Sequence, residues 1–367
     1  MKHKQFLENL IGPLSNQGGG GGTPAVLINK NVSANGTYNA SSDNADGYSQ
    51  VVVNVSGGGG EATLRGLLDG SLTGVLSDNV VTSLREYVCD AMTGLTGASF
   101  PEVTNIGEFA FNNCSSLVNV SFPKLVQIPS HAFSGCTALK DAVYTLVSGI
   151  GESAFYNCKA LTKVNSTFFP GLDSASAYLS SSCFSGCAHI TEVDLPATVD
   201  ALPSNAFNTC TGLTYVKFLG RNINGSSVFQ GCNSLMTLLL PNVTTITNQS
   251  NFRACTSLES VELPALTSMT GQYNFRECTA LKRVTFGAQL ANVASNVFQS
   301  CSHLEAVVFT GATAVVTLSN TNAFTGTPIA SGTGYIYVPD ALVSSWKAAS
   351  NWSTYASKIK PLSELPT

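Results

Sequence analysis

One short motif recurs along the chain and constrains the fold more than any other feature of the sequence. It is Phe-x-x-Cys-x-x-Leu, with Ile replacing Leu in one copy, and its nine copies place successive cysteines 22, 22, 29, 23, 22, 23, 23 and 23 residues apart. A near-constant period of this length is typical of a solenoid, in which each repeat is one coil stacked on the next. The residues predicted to form its structural core are Phe111, Cys114, Phe133, Cys136, Phe155, Cys158, Phe184, Cys187, Phe207, Cys210, Phe229, Cys232, Phe252, Cys255, Phe275, Cys278, Phe298 and Cys301.

The end repeats depart from the motif, as the capping repeats of a solenoid do. Before the first full copy the Phe, Cys and Leu slots hold Cys89, Met92 and Leu95, and after the last copy they hold Phe324, Thr327 and Ala330. The single long step is an insertion around residues 168–182. Eleven stacked units are therefore expected, because one unit cannot bury its own apolar face.

Each repeat contains a strand signal and a turn signal. After the Leu comes x-x-Val-x-hydrophobic, often followed by Pro, and in the clearest copy Val261 and Leu263 alternate with polar residues before Pro264. That alternation is strand periodicity, and Pro ends a strand because it lacks a donor N–H. The Phe and the Cys lie in a tight turn that we expect to be helical. The sequence predicts a mainly β solenoid with one parallel strand per repeat of about 23 residues.

The full motif, Ala-Phe-x-x-Cys-x-x-Leu-x-x-Val-x-[Leu/Phe]-Pro, resembles the BspA-like leucine-rich repeat of bacterial surface and phage proteins. The resemblance covers about residues 61–330, and residues 334–365 resemble the C-terminal cap of such proteins. Residues 34–55 are similar to a small module found before these repeats in tail-associated proteins of phages and prophages of Gram-positive gut bacteria. The resemblance implies a leucine-rich-repeat solenoid that serves as an interaction scaffold for varied ligands.

Two glycine runs divide the N-terminal region, since Gly-rich segments are flexible linkers. Alternating Val and Ile with Asn-Gly and Asp-Gly turn signals predict a small β module between them. Apolar residues at helical spacing in the first segment suggest either a docking helix or a frayed terminus. The expected divisions are 1–17, the N-terminal segment; 18–22, a Gly linker; 23–55, the β module; 56–60, a second linker; 61–330, the solenoid; and 331–367, the C-terminal cap.

The composition excludes several classes of partner. Charged residues make up 11% of the chain and its formal net charge is −4, so nucleic acid and anionic membranes, which require a basic surface, are not expected partners. No apolar run is long enough for a transmembrane helix, and membrane insertion is not expected. The first residues lack the continuous apolar region of a signal peptide, so none is expected. Polarity comes instead from 43 Ser, 35 Thr and 29 Asn.

No catalytic, metal or cofactor motif stands out. The chain has no Gly-x-Ser-x-Gly, no His-Glu-x-x-His and no phosphate-binding loop, so we expect neither enzymatic activity nor a bound cofactor. Its eleven cysteines leave three alternatives open, which are a buried column of free thiols, a disulfide, or a metal site. The column of thiols is favoured because the predicted core is large and only Cys183 and Cys187 are close in sequence.

The outward side of the predicted strands is the candidate binding surface. In adjacent repeats Lys163 faces Glu192, Asp194 faces Lys217, and Glu259, Lys282 and Glu305 form a charge ladder, all of which support the strand register. Val308 is also predicted to point outward. Three other outward residues are expected to expose apolar groups close together. Exposed apolar patches mark interaction sites. The candidate ligand-binding residues are Tyr215, Met236 and Leu239.

The expected function is recognition without catalysis. The chain is interpreted as a phage or prophage virion protein, located in the tail, whose solenoid binds a host-surface glycan or protein. Other virion proteins are expected to bind through its N-terminal region. The alternative is a bacterial cell-surface adhesin or a protein–protein interaction scaffold of the same fold.

Overall fold

The computed structural model of the chain describes residues 54–55, 74–77, 82–84 and 86–366. The chain divides into two compact units, one made of Met1–Leu161 with Phe168–Gly171 and the other of Thr162–Thr167 with Leu172–Thr367. The predicted N-terminal segment, both Gly linkers and the predicted β module lie outside the described residues, except for Asn54–Val55. No helix in the described part of the chain is long and apolar enough to cross a membrane.

The first unit contains a sheet with one strand from each coil. Asn54–Val55 pairs antiparallel with the first of these strands, and the others pair parallel. A second set of two-residue strands follows the main strands along the chain and also pairs parallel from coil to coil. The main strands are Gly74–Ser77, Leu95–Ser99, Asn119–Ser121 and Asp141–Val143, and the short strands are Ser83–Leu84, Asn105–Ile106, Gln127–Ile128 and Gly149–Ile150.

The second unit repeats this arrangement over more coils. Its nine main strands form one parallel sheet, and six of its short strands form another. The main strands are Lys163–Val164, Glu192–Leu195, Tyr215–Phe218, Thr237–Leu239, Ser260–Leu263, Arg283–Phe286, Ala306–Phe309, Tyr335–Val338 and Ile359–Pro361. The short strands are Tyr178–Leu179, Ala201–Leu202, Asn222–Ile223, Thr245–Ile246, Ser268–Met269, Asn292–Val293 and Thr317–Leu318.

The strand register follows directly from the repeat. Val193, Val216 and Leu238 are neighbours across three strands, and each occupies the Val slot of its repeat. All three are buried, whereas the alternate positions face outward, because successive side chains of a strand point to opposite faces. The prediction of a leucine-rich-repeat solenoid with one parallel strand per repeat is confirmed.

The tight turn at each Phe reverses the chain through two left-handed residues. In the coil of Phe207 these are Asn205, with φ 56°, and Thr209, with φ 53°. The N–H of Phe207 donates to the carbonyl of Val228 at 2.9 Å, and that of Thr209 to Gln230 at 2.8 Å, so the turn is hydrogen-bonded to the next coil. Left-handed residues interrupt a right-handed helix, so this turn is a run of β-turns rather than a helix. The described helices are Pro170–Asp173, Thr321–Phe324, Pro328–Ser331, Asp340–Leu342, Val343–Ala348, Trp352–Lys358 and Leu362–Glu364.

Within each unit the motif phenylalanines form a stack in the core. Phe229 and Phe252 have ring centroids 5.6 Å apart, and Phe252 and Phe275 have centroids 5.1 Å apart, with nearly parallel rings. All nine of these side chains are fully buried. Parallel offset stacking is a favourable geometry for aromatic pairs and adds to the burial of their apolar area.

Within each unit, motif cysteines hydrogen-bond one coil to the coil before it. The thiol of Cys255 donates to the carbonyl oxygen of Phe229 at 3.3 Å, and that of Cys278 donates to Phe252 at 3.1 Å. The thiol of Cys114 likewise donates to the carbonyl oxygen of Cys89, and Cys89 fills the Phe slot of the first described repeat. All eleven cysteines are buried and free. Burial raises the pKa of the Cys255 thiol to about 12, so this thiol keeps the proton that its hydrogen bond needs.

The C-terminal segment covers the end of the apolar core. Trp346 and Trp352 are fully buried, with ring centroids 4.9 Å apart, and each contacts the ring of Phe309. The indole N–H of Trp352 donates to the carbonyl of Val316 at 2.6 Å. The segment also adds Tyr335–Val338 and Ile359–Pro361 to the main sheet in parallel register. Two large rings thus replace the contacts that a further coil would make.

We expect Phe252→Ala to lower the free energy of unfolding by about 3–5 kcal/mol, because it removes a fully buried ring from the middle of the stack. Tyr156→Ala is the matched control, since Tyr156 is 42% exposed and its loss opens no internal cavity. Urea denaturation of both variants measures the difference. A Phe252→Ala protein as stable as the natural chain would contradict the stack.

Native protein should react with few equivalents of a thiol reagent at pH 7.5, and denatured protein with all eleven. Burial keeps each cysteine away from the reagent, and it raises the pKa of Cys210 and Cys255 to about 12, which keeps these thiols protonated, while the thiolate is the reactive form. Colorimetric titration with and without guanidinium measures the two numbers. Detection of several disulfides by mass spectrometry would show that the column is not made of free thiols.

Candidate functional site

The outward face of the main sheet in the second unit carries ion pairs between neighbouring strands. Lys163 pairs with Glu192 at 2.9 Å, and Lys217 pairs with Asp194 at 3.2 Å, both directly across the strand register. Both predicted pairs are therefore present. Each partner is between about a third and a half exposed, so each pair adds between ~0 and 1 kcal/mol and serves mainly to hold register.

The predicted ladder of three charges is shorter in the structure. Lys282 pairs with Glu259 at 2.9 Å, and within the described residues it has no ion pair with Glu305. The carboxylate of Glu192 is held more firmly, because Lys163 and the side-chain amide of Asn165 both donate to it. The hydrogen bond from Lys163, followed by that from Asn165, lowers the pKa of Glu192 below its ordinary value. This part of the face therefore stays charged at neutral pH.

The candidate residues Tyr215 and Leu239 lie on two adjacent strands of this face, and Met236 lies just before the second strand. Tyr215 begins its strand opposite Thr237, and Leu239 lies opposite Lys217, so Tyr215 and Leu239 occupy diagonal positions on the same side of the sheet. Met236 immediately precedes its strand and is 60% exposed. Leu239 is 44% exposed, and Tyr215 is half-buried. We call these three residues the mid-sheet patch.

The prediction of an outward side chain is wrong for Val308, which is fully buried. Val308 lies between Thr285 and Tyr337 in the sheet, and the ring of Tyr337 is itself buried on the same side. The C-terminal strand that carries Tyr337 extends the sheet beside Val308, and both side chains are shielded from solvent here. The open part of the outward face ends before this coil.

The first unit carries a second surface feature, which the sequence interpretation missed. The rings of Tyr87, Phe109 and His131 are stacked nearly parallel, with centroids 4.9 Å and 4.5 Å apart. All three occupy the slot two residues before the Phe position of the repeat and have a left-handed backbone with φ of 57–59°. The available signal was the residue type, because all the other full repeats except that of Tyr273 fill this slot with small residues such as Ser153 and Asn205.

These surfaces offer contacts for binding. The mid-sheet patch supplies apolar area and one phenol, and the neighbouring ion pairs supply fixed charges. Within the described residues there is no group of three or more His, Cys, Asp or Glu side chains that could hold a metal ion. The buried thiols lie in the core and away from either surface. The arrangement is suited to recognising a partner by shape and hydrogen bonding.

Comparisons with solved structures find proteins of the same type. A leucine rich cell surface protein of Faecalibacterium prausnitzii A2-165 is 23% identical, over 77% of this chain and 82% of that chain, with a TM-score of 0.43. A leucine-rich repeat protein of Bacteroides ovatus ATCC 8483 is 20% identical, over 78% and 94%, with a TM-score of 0.33. The leucine rich repeat protein of T. pallidum is 24% identical, over 52% and 79%, with a TM-score of 0.36. Comparison with curated protein sequences gives no match.

The sequence profile of the BspA type leucine rich repeat region, which has six copies, matches the chain in overlapping segments. They cover residues 71–169, 145–250, 177–305 and 222–334, which together span both units and all nine full copies of the motif. With the coil geometry described above, these matches show that the chain belongs to the BspA-type leucine-rich repeat family.

Proposed function

We propose that this protein is a non-enzymatic recognition protein whose solenoid binds a host-surface glycan or protein through the mid-sheet patch. The observation that carries the proposal is the exposure of Met236 and Leu239 on a face where adjacent slots hold paired charges. Exposed apolar groups of this size, bordered by polar residues, mark interaction sites. Family membership supports the same general role, because leucine-rich-repeat solenoids are binding scaffolds.

The patch has the chemistry of a small recognition surface. Tyr215 can stack on a sugar ring or pack against an apolar side chain, and its hydroxyl can hydrogen-bond. Lys217 is fixed beside the patch by Asp194, so part of the ordering cost of binding is already met. Thr237, which lies opposite Tyr215, adds a short hydroxyl at little entropic cost. Each contact is weak, so tight attachment requires many copies.

We place the protein on a phage or prophage virion, with residues 1–55 attaching it to other virion proteins. This setting is supported by the similarity of residues 34–55 to a module of phage tail-associated proteins and by the Gly runs at 18–22 and 56–60. Display of many copies on one particle would raise avidity by about 10²–10⁴. The alternative setting is a bacterial cell-surface adhesin or interaction scaffold, which fits family membership equally and would use the same patch.

The full chain, multimerised on beads, should bind cells of a suitable Gram-positive host, and Tyr215→Ala/Leu239→Ser should reduce bead binding at least tenfold. The reduction is expected because two weak contacts of about 1 kcal/mol each are lost on every copy. Tyr156→Ala/Leu146→Ser is the matched control, because both residues are exposed and lie in the first unit. Equal loss in both variants, measured by flow cytometry, would refute the role of the patch.

The setting is tested separately by locating the protein. An antibody raised against the folded chain should label purified phage particles in electron micrographs, and mass spectrometry should find the protein in those particles. Labelling of intact bacterial cells in a culture that releases no particles would replace the virion assignment with the adhesin alternative.

A further inference from the structure

A recess lies at the end of the two strands that carry the mid-sheet patch, Tyr215–Phe218 and Thr237–Leu239. A difference in loop length between neighbouring coils creates it. Between the main strand and the short strand, one coil has only the three residues 219–221. The coil before it has the five residues 196–200 there, and the coil after it has the five residues 240–244 between Leu239 and Thr245. The short loop leaves a depression of about 600 Å³, lined by Ala197, Asp200, Leu219, Arg221, Asn242 and Ala265.

The short loop can take this path because it contains a glycine. A Cβ atom on Gly220 would lie 2.3 Å from the carbonyl oxygen of Val199 and 2.4 Å from the ring of Phe218. No real Cβ contact is that close, so only glycine lets the loop lie against the preceding coil. The depression is thus fixed by the backbone, and it does not depend on a side chain that could turn to fill it.

The polar groups of the recess are held in place by neighbouring coils. Asp200 accepts from Nε of Arg221 at 2.9 Å and from the amide of Asn222 at 2.8 Å. Nδ2 of Asn242 donates to the carbonyl of Leu219 at 2.9 Å. The hydrogen bond from Arg221 lowers the pKa of Asp200, so the pair stays ionised at neutral pH. Both terminal nitrogens of Arg221 and Oδ1 of Asn242 have no partner among the described residues.

The backbone of the recess is already satisfied. The N–H groups of Arg221 and Asn222 both donate to the carbonyl of Asp200, and the N–H of Leu219 donates to Leu195. A peptide that binds by adding a strand needs an unpaired strand edge, and the recess provides none on these residues. A ligand must therefore bind through its own contacts with side chains. Asp200 and Arg221 cancel in formal charge, so the recess does not select for a charged ligand.

We propose that this recess binds one neutral hexose unit of a surface glycan. A hexose has hydroxyls that both donate and accept, which match the terminal nitrogens of Arg221, Oδ1 of Asn242 and the remaining lone pairs of the Asp200 carboxylate. Its C–H face matches the apolar lining of Ala197, Leu219 and Ala265. The volume lies within the range of pockets for small ligands, ~300–1,000 Å³. The inference rests on the proposed function and names its ligand class, because the strands that end at Phe218 and Leu239 also carry the patch.

The test is NMR titration of the full chain with glucose, galactose and mannose and with a tetrasaccharide of each. At least one sugar should bind, and Arg221→Gln should weaken its binding about tenfold through the loss of a charged donor. Ala197→Trp should abolish binding by filling the recess from an exposed position. Arg253→Gln is the matched control, because it breaks a similar inter-coil ion pair with Glu277 away from the recess and should leave binding unchanged.

Three results would overturn the hexose assignment. The first is that no sugar binds the natural chain. The second is that Arg221→Gln and Arg253→Gln bind the sugar equally, while Ala197→Trp still binds it and has a melting curve that shows it is folded. The third is that a tetrapeptide library binds in place of the sugars and is lost in Ala197→Trp. Tyr215→Ala/Leu239→Ser should keep hexose binding in solution. If that variant loses cell binding while Ala197→Trp keeps it, the mid-sheet patch stands and the recess inference fails.

Discussion

The hydrogen bond from a motif thiol to a turn carbonyl of the preceding coil recurs within both units and is the contact on which the stacking of their coils depends. The carbonyl of Phe229 belongs to a turn buried in the core, and the thiol of Cys255 reaches it at 3.3 Å. That carbonyl also accepts from the N–H of Cys232 at 3.2 Å, so the thiol is its second donor and the one that comes from the next coil. A hydrogen bond of this kind adds about 0.5–1.5 kcal/mol. Cysteine suits the position because it is small, apolar and able to donate. The bond also fixes the height of each coil and therefore the stacking of the phenylalanine rings.

A core built from identical slots leaves the surface free to vary. The Phe, Cys and Leu slots repeat with little change, while the outward positions differ from coil to coil and the loops differ in length. The mid-sheet patch arises from outward positions on two adjacent strands, and the recess arises from one shortened loop at Gly220. The surface can therefore vary at either place without disturbing the bonds between coils.

Much of the fold could be predicted because the repeat gives the register directly. Residues in equivalent slots become neighbours, so the pairs Lys163–Glu192 and Asp194–Lys217 followed from spacing alone. The burial of Val308 did not follow, because it depends on a C-terminal strand that lacks the motif. The stack at Phe109 depends on left-handed backbone, which turns side chains of distant residues toward one another. The recess depends on a difference in loop length between coils, and a consensus motif does not describe such differences.

The most direct test of the thiol column is the free energy of unfolding between pH 7 and pH 10, measured by urea denaturation for the natural chain and for Cys255→Ala. Burial raises the pKa of Cys255 to about 12, so the stability that this thiol contributes is fully present below its unfolded pKa of about 8.5 and is lost as the pH rises above it. Above that pH the natural chain should lose about 1.4 kcal/mol more per pH unit than Cys255→Ala. Parallel curves for the two proteins would contradict a buried, protonated thiol at this position.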